Sequence, residues 1–222
     1  MALPRNVVVP GMQAEYASFA GLLKSLSADE WTQATRCDGW SVADIAAHVT
    51  GTLTDVVNFR LEGLGTPEVT ARQVDERRGR AAAEVADELE QSAKLGADVL
   101  TGFDDAAWET PLAGGLQGTL GFGVETLWYD TFVHGDDIRA AIGRASVVEA
   151  DGLRPSLSHI AQILTDQGWR PSILAFGELG EFPVSGGGAP ISADPLAFVL
   201  AATGRGDTAA LGLDDTVNIY RE

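Results

Sequence analysis

The chain has 222 residues, 45% of them hydrophobic, enough for one large core or two modest ones. Its 32 acidic residues against 15 basic ones give a net charge of −17, the wrong sign for nucleic acid or an anionic membrane as partner. One cysteine and three histidines exclude an intrachain disulfide and a cysteine-rich zinc site. No apolar run approaches the roughly 18 residues of a membrane span, so a cytoplasmic protein is expected.

Met12, Tyr16, Phe19, Leu22 and Leu26 recur at spacings of three and four and predict a first long helix. Residues 27–30, SADE, form a Ser-x-x-Glu capping box that starts a short turn. A second long helix is expected after Trp40, with Ser41 as its cap and Asp44 three residues on. Its stripe is Val42, Ile45, Val49, Leu53 and Val56. Thr66-Pro67-Glu68 is a cap followed by proline at the first helical position, so a third helix should run towards Leu100, with a break around Gly79. Residues 114–123, GGLQGTLGFG, read as a glycine-rich loop. It leads into a fourth helix containing TLWYDTFVHGDDIRAAIG, residues 126–143. After Gly143 the texture changes. Residues 144–152 read as a linker, 157–169 as a helix, and 176–190 as a glycine-rich loop with short strands. Residues 193–205 read as a helix with Asp194 near its cap, and 217–220 as a terminal strand. The fold class expected is α+β: a four-helix bundle over residues 1–146 and a small α/β domain over 147–222.

At about 100° per residue the fourth helix places Asp130, His134 and Asp137 within roughly 60° of one another. They share this sector with Leu127, Val133, Ile138 and Ala141, while Glu125, Asp136 and Arg139 point elsewhere. His48 lies at the margin of the second helix's apolar stripe. Buried without partners, a carboxylate or imidazole costs several kcal/mol. Two arrangements avoid that cost. Asp130 and His134 can pair as an i,i+4 contact, or they can meet a third ligand from a facing helix at a metal ion. Cys37, in the turn before the second helix, reads as packing rather than as a nucleophile. Trp40 and Trp128 read as packing near the same end of the bundle, and His159 as structural. Arg77, Arg78 and Arg80 form a basic cluster on a solvated face, from which Arg78 is the candidate to reach a substrate carboxylate.

RCDGWSVADIAAHVTG, residues 36–51, resembles the signature of the mycothiol-dependent maleylpyruvate isomerase family, within the DinB-like superfamily. WYDTFVHGDDIRAAIGR, residues 128–144, is similar to the second family block, in which an acid and a histidine four apart precede an Asp and a closing Ala-x-Gly. ADPLAFVLAATGR, residues 193–205, resembles the helix ending in Gly-Arg of the family's C-terminal domain. The resemblance implies a DinB-like bundle whose metal ligands are His48, Asp130 and His134, with Asp137 behind His134. Asp130 departs from the family, where glutamate or histidine is commoner. The donor set suits a divalent metal, Zn²⁺ first and then Fe²⁺, Ni²⁺ or Mn²⁺. The implied co-substrate is mycothiol, the small thiol of actinobacteria. The implied activity is thiol transfer to, or cis–trans isomerisation of, a small-molecule substrate, by a monomer or homodimer. The alternatives are a metal-dependent hydrolase or biosynthetic enzyme on the same fold, and a non-catalytic metal-binding regulatory protein.

Overall fold

Helix α1 (Arg5–Lys24) buries the expected stripe of Met12, Tyr16, Phe19 and Leu22. In this computed structural model, which describes residues 3–114, 116–147 and 151–221, the capping box at Ser27 starts the single turn α2 (Ala28–Trp31). Ser41 and Asp44 form a second capping box and start α3 (Val42–Val57). The expected third helix is two helices, α4 (Pro67–Asp75) and α5 (Ala82–Thr101), parted at Gly79 as the sequence suggests. A further turn, α6 (Asp105–Trp108), is capped by Asp104.

Helix α7 (Leu120–Ala141) begins inside the stretch expected to be loop. Thr119 accepts a hydrogen bond from the Phe122 amide and caps it, so residues 120–123 are helical despite two glycines. Gly115 of that stretch and residues 148–150 of the expected linker lie outside the described residues.

Helices α1, α3, α5 and α7 pack round one apolar cluster that includes Phe19, Leu23, Ile45, Leu53, Leu89 and Ile138. The opposite face of α7 builds a second cluster. Tyr129, Phe132 and Val133 pack there with α8 (Leu153–Asp166), α9 (Pro195–Ala202) and a three-stranded sheet. The strands are β1 (Ser172–Ala175), β2 (Glu181–Val184) and β3 (Ala189–Ile191), in the order β2-β1-β3. β2 runs antiparallel to β1, with Leu174 opposite Phe182, and β3 runs parallel to it. One long helix therefore carries both cores, and buried carboxylates on it are surrounded from two sides.

The expected terminal strand at 217–220 is not formed. Asp214 accepts the Thr216 amide and starts a 3-10 turn at Asp215–Val217, so the backbone bonds locally instead of joining the sheet. Val217 and Ile219 still bury their side chains in the second cluster. Among the described residues no helix is long and apolar enough to cross a membrane.

Candidate metal centre

Cys37 to Trp40 close a turn in which the Trp40 amide donates to the Cys37 carbonyl (3.0 Å). Gly39 sits at its third position with φ +75°, a conformation that favours glycine there. The turn delivers Trp40 to the start of α3, where its ring meets two histidines. It stands edge-on to His48 (centroids 5.3 Å apart) and stacks on His134 (6.2 Å).

His48 on α3 and His134 on α7 face one carboxylate. His48 Nε2 lies 3.5 Å from Asp130 Oδ2, and His134 Nε2 lies 3.5 Å from Asp130 Oδ1. Donor atoms of the three residues all fall within 4.8 Å of one another. The other nitrogen of each ring has its own acceptor. His134 Nδ1 is 2.9 Å from Asp137 Oδ2, and His48 Nδ1 is 3.3 Å from Gln73 Oε1.

The Gln73 amide cannot be turned round. Its Nε2 donates to Asp55 Oδ2 at 2.7 Å, and that carboxylate, paired with Arg72, only accepts. Gln73 therefore shows His48 an oxygen, so His48 Nδ1 serves as the donor in that contact. Asp137, pushed up by burial but held far below the usual carboxylate range by His134 and Arg205, fixes His134 in the same way. Both Nε2 atoms are left facing Asp130. Gly51 makes room for this support: a Cβ there would fall 2.6 Å from Gln73 Cβ.

Asp137 is fully buried and accepts from five groups. Arg36 Nε (2.6 Å) and Arg205 Nε (2.8 Å) reach Oδ1. His134 Nδ1, Arg205 Nη2 (2.8 Å) and Cys37 Sγ (3.2 Å) reach Oδ2. Arg205 comes from beyond α9. There the Gly204 amide bonds the Ala201 carbonyl and the Arg205 amide bonds that of Leu200, a Schellman stop with Gly204 at φ +72°. The stop reverses the chain and aims Arg205 at α7.

Burial, then Asp137, push the Cys37 thiol up to about 11, so at neutral pH it is a protonated hydrogen-bond donor rather than a nucleophile. Burial pushes the Asp130 carboxyl up, but His134 and His48 hold it at about 2. Burial opposes charge on His48, and Asp130 and Gln73 outweigh it and raise its pKa.

The structure thus brings together His48, Asp130, His134 and Asp137, with Trp40 against the rings. It does not bring Arg78 to them: that side chain is exposed and pairs with Asp75. Arg77 and Arg80 are not a solvated face either; both pair with Glu88, and Arg77 is buried. Trp128 packs on Gly11 of α1, and its ring meets neither histidine. Glu125 and Asp136 do point away from the cluster, yet both are buried, bonded to the Leu3 amide and to Arg36. His159 stacks between Phe122 and Tyr129. Sequence reasoning missed Gln73, Asp55, Arg36 and the role of Arg205. Only Arg205 left a signal there, as the arginine after a helix-stopping glycine.

A helical bundle in which two imidazoles and a carboxylate from facing helices converge defines a class, bundle proteins with a candidate metal centre between helices. Within it this chain belongs to the family of the mycothiol maleylpyruvate isomerase N-terminal domain, whose profile matches residues 12–139. Two solved structures share the fold. Mycothiol-dependent maleylpyruvate isomerase aligns with a TM-score of 0.63 at 17% identity, over 92% of this chain and 90% of that one. A histidine-to-alanine mutant of mycothiol-dependent maleylpyruvate isomerase aligns over the same shares with a TM-score of 0.64 at 16% identity. No curated protein matches the sequence.

Proposed function

We propose that this chain is a metal- and thiol-dependent enzyme that transfers a thiol to, or isomerises, a small electrophile. Mycothiol is the thiol, and a divalent cation, Zn²⁺ before Fe²⁺, Ni²⁺ or Mn²⁺, is held by His48, Asp130 and His134. The observation that carries this reading is the aim of the two histidines: each Nδ1 lies against an acceptor oxygen, of Gln73 or Asp137, and each Nε2 faces Asp130 at 3.5 Å. The 3.5 Å separations are close to the about 3.3 Å edge of a tetrahedron with metal–ligand distances near 2 Å. The shorter aspartate thus still spans both rings.

When bound, such a cation lowers the pKa of a thiol at its open position and stabilises the thiolate. The chain's residues do the rest. Asp137 and Gln73 fix the rings and raise their basicity, and Trp40 walls the rings on one side. We further propose that residues 1–146 form the metal-binding unit, with 147–222 contributing Arg205 as a clamp on Asp137. We place the enzyme in the cytoplasm, where small thiols are kept reduced.

A regulatory protein without turnover is the weaker reading, because a cavity of about 390 Å³ reaches His48 and Asp130 and gives a substrate a place to bind. Elemental analysis tests the proposal. Wild-type protein should hold one divalent ion per chain, and His48→Ala and His134→Ala should hold none. Thiol-dependent turnover should disappear in both variants. Wild type that stays empty after incubation with each of the four cations would overturn the reading.

A further inference from the structure

The cavity at His48 and Asp130 falls within the roughly 300–1,000 Å³ of small-molecule sites. Its wall is hydrocarbon. Val56, Leu64, Phe103, Leu116, Leu120 and Leu127 line it and remain half-buried, apolar surface left open among the described residues. Among the described residues no lysine or arginine lines it. Apart from the candidate metal ligands, its polar side chains are Thr52, Gln117, Thr126 and His159.

His159 brings no charge, because burial pushes its pKa down to about 4. The arginines near the centre are already paired. Arg36 and Arg205 bond Asp137, which meets His134 at Nδ1, whereas the cavity opens on Asp130, at the Nε2 side. A dianion in this cavity would have one carboxylate facing the centre and no basic side chain among the described lining residues to pair the other.

Resting on the metal-centre reading, we propose that the substrate held beside the centre has an apolar body and only the polar group that meets the metal. It is not a dicarboxylate of the maleylpyruvate kind. The specificity of this chain therefore departs from the substrate for which its family is named, and Val56, about two turns beyond His48 on α3 and lining the same cavity, sits on the determining surface.

The test compares a neutral apolar probe, N-phenyl-1-naphthylamine, with maleate on the full chain, both Zn²⁺-loaded and metal-stripped. The naphthylamine, read by fluorescence, should bind one per chain and at least tenfold more tightly than maleate, read by calorimetry. Stripping the metal should leave naphthylamine binding within about threefold. Val56→Arg should weaken the naphthylamine at least tenfold and tighten maleate, because a half-buried arginine can lay its stem on the wall and its guanidinium at the mouth. Its zinc content should stay at one per chain. Leu64→Lys, in the loop after α3, should act in the same direction if Val56→Arg fails to fold.

Maleate binding to the loaded wild type as tightly as the naphthylamine would overturn the proposal, as would naphthylamine binding indifferent to both variants. Wild type that takes no metal yet binds the naphthylamine in a Val56-dependent way would overturn the metal-centre reading and uphold the apolar specificity.

Discussion

Asp137 and Gln73 support the two histidines by unequal means, and this predicts unequal consequences. Asp137→Asn leaves Arg36 and Arg205 facing a neutral group in a buried place, and lets an amide N–H₂ oppose the His134 proton. Stability should fall by about 3 kcal/mol or more, as when one partner of a buried ion pair is removed. Gln73→Leu removes one neutral acceptor from His48 and one donor from Asp55, at about 1–3 kcal/mol. Each variant should lose roughly 10–100-fold in metal affinity. Chelator competition and denaturant melts read the two quantities separately. His159 makes a pH-dependent contribution. Burial sets its folded pKa at about 4, below its ordinary 6.5, so the unfolded chain takes up the proton first as pH falls. Its stability contribution is complete above pH 6.5 and drains away down to about pH 4, up to about 3 kcal/mol in all. His159→Phe, which keeps the ring between Phe122 and Tyr129, should lose less stability than wild type between pH 7 and pH 5. The gathering of Asp130, His134 and Asp137 was legible in the sequence because one helical sector holds them, while His48, on another helix, entered as a candidate ligand through the family resemblance. Their supports were not, since Arg36 and Arg205 stand 101 and 68 residues from Asp137 and are aimed by turns.

Caps and breaks were the legible part of the elements, because each is a local exchange between a side chain and backbone groups that would otherwise be unpaired. Ser27, Ser41, Thr66 and Asp194 cap where expected. The early start of α7 was hidden because the glycines at 121 and 123 obscure a helix that Thr119 caps. Packing between helices was equally hidden, and Gly51 is the case that bears on the site. In isolation Gly51→Ala would favour α3 by about 1 kcal/mol. Here its methyl would lie 2.6 Å from Gln73 Cβ and 2.9 Å from Arg77 Nη1, so α4 must move off α3. Overpacking of this kind costs about 1–3 kcal/mol and should win. The displaced Gln73 should also release His48. Gly51→Ala is expected to melt lower and to bind metal more weakly, with the affinity loss of Gln73→Leu reproduced without touching a polar atom. Unchanged affinity in the alanine variant would dissociate the glycine from the support of His48.

Across the whole molecule, α3 and α7 are joined weakly by their backbones compared with the pairs α1 and α7 or α3 and α5, and the candidate centre lies between them. A cation held there would staple α3 to α7, and α7 in turn carries the second apolar cluster through Tyr129, Phe132 and Val133. Binding to the folded chain and not to the unfolded one stabilises by mass action, about 2.7 kcal/mol at a free metal concentration 100 times Kd. For a chain of this size each kcal/mol moves Tm by roughly 2–4 °C. Loading the stripped protein should therefore raise Tm by about 5–11 °C, and both clusters should melt together, since one helix runs through them. Near-ultraviolet circular dichroism can follow this, with Trp40 and Trp108 in the bundle and Trp169 in the second cluster. His48→Ala should show no metal-dependent shift, because two remaining donors on one helix cannot tie it to α3. A full shift in His48→Ala would place the ion elsewhere. If instead only the bundle transition rises in the wild type while the second cluster melts unchanged, then α7 does not couple the two halves.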